Sequence, residues 1–92
     1  MDSRMKAQEI ANKIKEGMVG CRYRHFKGAI YIVTDIAVHS ETEEIFVVYK
    51  SFDRPFLTWI RPIDMFLSEV DREEYPDVKR RMRFERINRE DD

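Results

Sequence analysis

The apolar positions near the start of the chain recur at the spacing of an amphipathic helix. Three of them are four residues apart, and two alanines lie on the same side of the predicted helix, as expected of a stripe that becomes buried. Charged and amide side chains occupy the positions between them. We therefore predict a helix over residues 3–18. Its stripe consists of Ala7, Ile10, Ala11, Ile14 and Met18.

Both ends of this predicted helix carry suitable capping residues. Asp2 or Ser3 can accept hydrogen bonds from the first free amides, and Gly17 or Gly20 can adopt the left-handed conformation that stops a helix. A helix of this length is marginal on its own, so we expect its stripe to dock on the rest of the domain. Self-association through the same face, which would give a homodimer, is the alternative.

After this helix the sequence changes to the alternation and the β-branched and aromatic content of strands. Gly28 marks the first turn, and residues 39–44 form a polar hairpin loop. Pro62 cannot donate to a strand ladder, so it ends the fourth strand and opens a helical turn over residues 63–67. The predicted strands cover residues 22–26, 29–38, 45–50, 57–61 and 82–87.

The second predicted strand is apolar on both faces. Ile30, Ile32 and Ile36 line one face, and Tyr31 and Val33 make the other nearly as apolar. A strand with two buried faces belongs in the middle of a closed or covered sheet. We therefore predict a mainly β fold, a small SH3-like five-stranded barrel with an N-terminal α-helix. An α+β roll with an open sheet is the alternative.

The length of the chain allows one domain. We expect residues 1–19 to form the N-terminal amphipathic helix, residues 20–87 the SH3-like barrel, and residues 88–92 a frayed tail. Residues 70–79 are charged and typical of a connector. A short helix that starts at Pro76 competes with the fifth strand as the interpretation of the segment that follows.

Composition narrows the classes of partner. The 92 residues are 42% hydrophobic and 38% charged, which is typical of a folded and well solvated chain. The net charge of -1 provides no general attraction to nucleic acid or to an anionic membrane. Cys21 is the single cysteine, which fits a reducing cytosol. With no apolar run near the roughly 20 residues of a membrane helix and no export signal, we expect a cytoplasmic domain without a membrane partner.

Polar and aromatic side chains gather at three points where predicted strands end, within residues 23–28, 39–42 and 59–62. A small barrel has little interior room for polar groups, so such clusters are its candidate working surface. Their aromatic rings could stack on a ligand, and their basic groups could bind carboxylate or phosphate. The candidate ligand-binding residues are Tyr23, Arg24, His25, His39, Glu41, Trp59 and Arg61.

Several of these side chains also fit structural roles. Trp59 is the only tryptophan in a small domain, and Tyr49 alternates in step with apolar neighbours, so packing is the favoured interpretation of the aromatic residues. For Arg61 and for the pair Arg24–His25, a ligand contact and a structural bond to a carboxylate of the hairpin are equally good explanations. Pro62 holds Arg61 in extended backbone, which favours a fixed presentation of its guanidinium.

No catalytic or metal-binding signature accompanies these clusters. His25 lies beside the first turn and His39 at the far end of the second strand, which places them roughly 30 Å apart at about 3.3 Å per extended residue. That distance prevents them from sharing a metal ion. Ser40 and Cys21 fit a turn residue and a small apolar residue better than a nucleophile. We therefore expect no metal, no cofactor and no catalytic residue.

Basic residues are concentrated near the C-terminus. The run could form a strip that contacts phosphates, but acidic residues flank it closely and weaken its local field. A solvated, salt-bridged connector is the favoured interpretation. The run consists of Lys79, Arg80, Arg81, Arg83, Arg86 and Arg89.

Six segments, in order and with fitting spacing, carry a resemblance to a known family. They are YRHFKG at residues 23–28, IYIV at 30–33, IAVHSET at 36–42, VVYK at 47–50, WIRPIDMF at 59–66 and RFERI at 83–87. In these segments, across about residues 20–87, the chain resembles a family of small bacterial proteins called domain of unknown function 1653. The resemblance implies an SH3-type barrel, with the N-terminal helix as an extension, and it carries no established activity.

The chain departs from the pattern of this family at two positions. Glycine is frequent in the family where Ala29 and Glu43 stand in this sequence. If Glu43 adopts the left-handed conformation, it costs on the order of 1 kcal/mol relative to glycine. We therefore expect any rearrangement to affect the loop that carries His39.

Together these patterns predict a noncatalytic recognition module. A protein or peptide is the expected ligand, because the overall charge is close to neutral. Nucleic-acid or nucleotide binding through an arginine and aromatic surface is the second hypothesis, and an enzyme of unfamiliar type is the third. The expected ligand surface combines the end of the first strand, residues 39–42 and residues 59–61.

Overall fold

The chain forms one five-stranded antiparallel sheet preceded by a helix. The computed structural model describes residues 2–87, and the predicted tail over residues 88–92 lies outside this range. The strands are arranged in the order β4-β3-β2-β1-β5, and every pair of neighbours is antiparallel. The fold is therefore mainly β, as predicted. The elements are α1 (Ser3–Met18), β1 (Arg22–His25), β2 (Ile30–Val38), β3 (Ile45–Ser51), β4 (Thr58–Pro62), α2 (Ile63–Phe66) and β5 (Phe84–Ile87).

The sheet is open at both ends. β4 and β5 are its two edge strands, and within residues 2–87 no ladder joins them, so the predicted closed barrel is not confirmed. The open-sheet alternative describes the hydrogen bonding better. The last element of the described residues is a strand, and the competing helix from Pro76 is wrong, because residues 76–83 contain turns, bends, irregular backbone and an isolated β-bridge at Met82.

A β-bulge changes which side chains of β2 are buried. The register with β3 shifts between Val33 and Asp35, so Thr34 is the extra residue and the alternation reverses there. Val33 and Ile36 consequently share the buried face, with 1% and 2% of their surface exposed, whereas Asp35 is exposed. The prediction that β2 is buried on both faces is therefore wrong. The alternation of buried and exposed residues that the sequence predicts fails because the bulge inserts one extra residue into β2.

Helix α1 begins and ends where its capping residues predict. The Asp2 carboxylate accepts a hydrogen bond of 2.9 Å from the backbone N–H of Arg4, which satisfies one of the free amides of the first turn. At the other end Gly20 has a φ of 86° and allows the chain to turn into the sheet.

The helix docks on its own domain, chiefly against β2, as predicted. Its buried residues are Ala7, Ala11 and Met18, and Ile14 packs at the margin of the core. Small alanines allow the helix backbone to approach the sheet closely. Ile10, predicted to belong to the stripe, is 48% exposed, so the docked face is narrower than the apolar pattern indicates.

Aromatic rings fill the centre of the core. Pro62 ends β4 and starts the short helix α2, which places Phe66 against the sheet with none of its surface exposed. The Phe66 ring stacks on that of Phe84, with centroids 4.1 Å apart and planes 9° apart. Tyr23 and Tyr49 meet Phe66 edge-on at 5.2 and 5.4 Å. Phe84 is thus packed against other rings on several sides. Its ring also contacts His25 and Arg61.

Candidate functional site

Two of the predicted site residues, His25 and Arg61, meet at the ring of Phe84. The His25 ring approaches it edge-on, with centroids 5.0 Å apart, and the guanidinium carbon of Arg61 lies 5.6 Å from its centroid. The Arg61 Nε also donates a hydrogen bond of 3.2 Å to the hydroxyl of Tyr49. Residues from β1, β4 and β5 therefore converge, although β4 is not a ladder neighbour of the other two.

Arg83 adds a second guanidinium to this region. It immediately precedes Phe84, and its Nε donates a hydrogen bond of 3.2 Å to the hydroxyl of Ser68. Its carbonyl accepts a bond of 2.9 Å from the backbone N–H of Phe26, which ties the end of β1 to the start of β5. The position of Arg83 is therefore set by the backbone as well as by its own side chain.

Lys27 completes the group from the turn after β1. Its Nζ lies 5.1 Å from the ring centroid of Tyr75 and 5.8 Å from that of Phe26. Distances of this size are those of cation–π contacts. We refer to His25, Lys27, Arg61 and Arg83 as the cationic cluster.

The pKa of the His25 imidazole reflects the positive charge of this cluster. Its pKa is lowered to about 4, first by burial and then by the positive charges of Arg61, Arg83 and Lys27. Within residues 2–87 none of these three cations forms an ion pair with a carboxylate. The cluster is therefore a patch of positive charge that the described part of the chain does not neutralise.

Tyr23, another predicted site residue, belongs to the core. It is 6% exposed and packs against Phe66. Burial raises the pKa of its phenol, a rise that Cys21 increases and the positive charge of Arg86 opposes. The structure therefore places the Tyr23 ring in the core and not on the surface that the sequence predicts it to line.

Arg24 points away from the cationic cluster. It alternates with the inward residues of β1 and lies opposite Glu85 in the register with β5. Glu85 is bound by Arg80 at 2.7 Å, and Arg24 lines a shallow depression with these residues and Arg86. The structure thus separates Arg24 from its sequence neighbour His25.

His39 and Glu41 lie at the other end of β2. The Nδ1 of His39 accepts hydrogen bonds of 3.1 Å from the backbone N–H groups of Glu41 and Thr42, so its ring holds the hairpin loop in shape. The loop is joined to the helix by a hydrogen bond from the Ser3 hydroxyl to the Glu43 carboxylate. The His39 ring therefore has a structural role in a loop at the far end of β2 from His25, and Glu41 contributes a backbone N–H to it.

The left-handed residue expected in this loop is present. Glu43 has a φ of 65°, the region in which glycine is favoured. A backbone bond of 2.9 Å from the Glu43 N–H to the His39 carbonyl closes the turn. Glutamate therefore occupies the left-handed conformation at a position that favours glycine.

Trp59 is exposed, and the interpretation that it packs in the core is wrong. It lies opposite the buried Tyr49 in the register of β3 and β4, yet 46% of its surface is accessible. The reason is its place in an edge strand, where the described chain provides no strand on the far side. Tyr49, by contrast, is buried as predicted, with its hydroxyl bound by Arg61.

The outer edge of β4 presents unpaired backbone. Just before β4, Ser51 N–H donates a bond of 2.8 Å to the Leu57 carbonyl. Because antiparallel pairs alternate, the backbone N–H and C=O of Thr58 and Ile60 point away from β3. Both residues are exposed, as is Trp59 between them. We refer to Thr58, Trp59 and Ile60 as the β4 edge.

Sequence reasoning did not select Arg83, because it lies within the basic run near the C-terminus. Arg80 and Arg81 of that run form ion pairs of 2.7 and 2.6 Å with Glu85 and Glu69, as the salt-bridged interpretation expects. Arg83 differs from both, because it makes no ion pair within residues 2–87. The feature of the sequence that could have identified Arg83 is its position next to Phe84, an aromatic residue of the core.

The arginine and lysine side chains of the cationic cluster are hydrogen-bond donors that a ligand could use. Across residues 2–87, no three His, Cys, Asp or Glu side chains are grouped closely enough to hold a metal ion. In the same part of the chain, neither Cys21 nor Ser40 is hydrogen-bonded to a histidine side chain. No helix between residues 2 and 87 has the length and apolar character needed to span a membrane.

The comparison with known families agrees with the resemblance seen in the sequence. The family described as "Protein of unknown function (DUF1653)" matches residues 21–86. The chain belongs to this family. The match runs from β1 into β5 and leaves α1 outside it. Neither a curated protein nor a solved structure matches the chain at a significant level.

Proposed function

We propose that this protein is a noncatalytic recognition module that binds an extended segment of another protein along the β4 edge. The observation that carries the proposal is the exposure of Thr58, Trp59 and Ile60 on a strand whose outer side is unpaired within residues 2–87. An extended segment that adds to such an edge gains hydrogen bonds from the backbone and specificity from the side chains on either side.

The backbone of Thr58 and Ile60 supplies the pairing groups. Their N–H and C=O groups lie on the side of β4 opposite β3, as the bond between Ser51 and Leu57 fixes. A partner strand can therefore pair with them without breaking the ladder to β3. A folded partner with no free strand would leave these N–H and C=O groups without backbone hydrogen bonds and would therefore bind less tightly.

The side chains of this edge favour an apolar contact. Ile60 is 64% exposed and Trp59 46% exposed, and they project to opposite faces of the sheet. Edge strands in natural proteins are usually short, charged or interrupted by proline. β5 fits that description with Glu85 and Arg86, whereas the middle of β4 is apolar. The β4 edge is therefore the better docking site.

Charge points to an acidic ligand segment. Lys50 lies opposite Thr58 in the register of β3 and β4 and is exposed. Within residues 2–87, neither Lys50 nor Arg61 forms an ion pair. We therefore expect the bound segment to carry an aspartate or glutamate beside its β-branched or aromatic residues.

We further propose that the sheet is curved as in SH3-like barrels and that the protein is cytoplasmic. An SH3-like curvature is supported by the strand order and by the approach of Arg61 in β4 to Phe84 in β5. A cytoplasmic setting is supported by the single cysteine and the near-neutral charge. Nucleic-acid binding along the C-terminal basic run is less well supported, because Arg80 and Arg81 of that run are already ion-paired.

Two substitutions at one position test the role of the backbone. The protein is used to select binders from a random peptide library, and the peptides are then measured against the Ile60→Pro and Ile60→Thr variants. Both variants lose the isoleucine side chain, but only proline removes the outward N–H, and it breaks no bond to β3. We expect at least tenfold weaker binding to Ile60→Pro than to Ile60→Thr, and slower amide exchange at Thr58 when a peptide is bound.

Equal binding of the peptides to the two variants overturns the proposal. A library that yields no peptide bound at the β4 edge overturns it as well. Pairing of two copies through β4 would appear as a concentration-dependent mass that Ile60→Pro abolishes. Retention on immobilised single-stranded DNA that falls steeply with salt would favour the nucleic-acid alternative. Matching thermal melts of the two variants establish that both are folded.

A further inference from the structure

The cationic cluster has a use that does not depend on the β4 edge. We propose that His25, Lys27, Arg61 and Arg83 form a binding site for a dianionic phosphate group, as carried by a phosphomonoester. The site lies where β1, β4 and β5 converge on the ring of Phe84. Its ligand is recognised by charge and by hydrogen bonding to the phosphate oxygens.

The two guanidiniums are oriented before any ligand arrives. Each uses its Nε in a hydrogen bond of 3.2 Å, Arg61 to the Tyr49 hydroxyl and Arg83 to the Ser68 hydroxyl. Their terminal nitrogens remain available as donors. Arginine forks that are already held in place bind phosphate oxygens with a smaller loss of side-chain entropy than free ones.

His25 adds a neutral donor instead of a fourth charge. Its Nδ1 accepts a hydrogen bond of 3.1 Å from the backbone N–H of Lys27, so in the neutral ring the proton resides on Nε2. The pKa of about 4 keeps the ring neutral at physiological pH. The imidazole can therefore donate to an oxyanion without adding to the repulsion among the three cations.

The balance of charge favours a dianion over a carboxylate. Lys27, Arg61 and Arg83 bring three positive charges to one region, and no carboxylate of residues 2–87 pairs with any of them. A carboxylate would leave two of these charges uncompensated, whereas a phosphomonoester leaves one. The apolar floor formed by Phe84, which is 5% exposed, strengthens each of these interactions relative to open water.

The test is a titration of the protein with inorganic phosphate at pH 7.5, followed by NMR, with chloride and acetate at equal ionic strength as comparisons. We expect saturable shifts of the His25 and Arg83 signals with phosphate only. A second arm uses sulfate, which remains a dianion over the pH range in which His25 titrates. Bound sulfate should raise the pKa of His25, because it neutralises the charges that lower it.

Matched variants of two arginines and one lysine locate the site. Arg83→Gln and Lys27→Gln should each weaken phosphate binding by about tenfold, the loss expected for one charge-assisted hydrogen bond. Arg81→Gln is the control, because Arg81 lies two residues away and is already paired with Glu69 at 2.6 Å. It should bind phosphate as the unaltered protein does. Thermal melts without phosphate check that all three variants are folded.

Titrations with O-phosphoserine and with adenosine monophosphate then identify the carrier of the phosphate. Tighter binding of the first assigns the site to a phosphorylated protein segment, and tighter binding of the second to a nucleotide. Phosphate shifts no larger than those with chloride, or equal losses in Arg83→Gln and Arg81→Gln, overturn the proposal. None of these measurements involves Ile60, so they separate this site from the β4 edge.

Discussion

The guanidinium carbon of Arg61 lies 5.6 Å from the ring centroid of Phe84. Arg61 belongs to β4 and Phe84 to β5, the two outermost strands of the sheet. No hydrogen-bonded ladder joins these strands within residues 2–87, so a contact between a cation and an aromatic ring bridges them instead. The same contact holds Arg61 beside His25 and Arg83 and thereby shapes the cationic cluster.

The first prediction concerns the strength of this bridge. Arg61→Met keeps a long side chain but removes both the cation–π contact and the hydrogen bond to Tyr49, and we expect the free energy of unfolding to fall by about 1–2 kcal/mol. Urea denaturation measures the change. Arg81→Met, whose side chain is 80% exposed in a surface ion pair, should change it by less than about 0.5 kcal/mol. Equal effects of the two substitutions would contradict a bridging role for Arg61.

The second prediction concerns the centre of the core. Phe66 has no exposed surface and stacks on Phe84, so Phe66→Ala should reduce the free energy of unfolding by about 3–5 kcal/mol. Met65, its neighbour in α2, is 47% exposed. Met65→Ala should therefore cost less than about 1 kcal/mol. Denaturant-induced unfolding of both variants measures the two changes. Comparable losses in the free energy of unfolding would show that α2 is not anchored through Phe66.

The third prediction follows from the low pKa of His25, which is about 4 in the folded protein and about 6.5 in an unfolded chain. Between these values the unfolded chain binds a proton that the folded protein does not. The free energy of unfolding therefore decreases as the pH falls from about 6.5 to about 4. Because the ring is only partly buried, we expect this group to contribute on the order of 1 kcal/mol.

Comparison of variants isolates the contribution of His25 from that of the carboxylates. Unfolding is measured at several pH values for the protein, for His25→Gln and for His39→Gln. The difference between the protein and His25→Gln should change across this range, whereas His39→Gln should follow the protein because it retains His25. A pH dependence that is unaltered in His25→Gln would refute the assignment.

The fourth prediction separates helix docking from self-association. Ala11 has no exposed surface, whereas Ile10 beside it is 48% exposed. Ala11→Asp buries a charge against the sheet and should destabilise the fold by about 3 kcal/mol or more, and Ile10→Asp should leave the thermal melt nearly unchanged. Light scattering of Ile10→Asp also tests the homodimer that the apolar stripe suggested. A lower mass than that of the unaltered protein would assign this face to a second copy.

The secondary structure was predictable because its signals are local. Asp2 and Gly20 delimit the first helix, and Pro62 ends β4 and opens α2, each through the conformation of its own backbone. Such effects depend on one residue and its immediate neighbours. The bulge at Thr34 is different, because an inserted residue is defined only by the partner strand.

The site was only partly predictable, because burial depends on which strand lies at the edge. Trp59 and Tyr49 are both aromatic residues in apolar strands, yet 46% of Trp59 is exposed and 4% of Tyr49. Strand order decides between them, and the alternation of residues does not reveal strand order. Arg83 was overlooked for a similar reason, since its pairing differs from that of Arg81 only once the chain is folded.

The two outer strands of this sheet differ in chemistry, and the difference limits how the molecule can assemble. β5 carries Glu85, bound by Arg80, and the exposed Arg86, whereas Trp59 and Ile60 leave β4 apolar. Head-to-tail polymers require two mutually complementary sides on every copy, and of the two edge strands in residues 2–87 only β4 carries large exposed apolar side chains. If a strand adds to the β4 edge as proposed, the charged edge of β5 offers it no apolar counterpart, and we expect one added strand per molecule instead of a growing fibre.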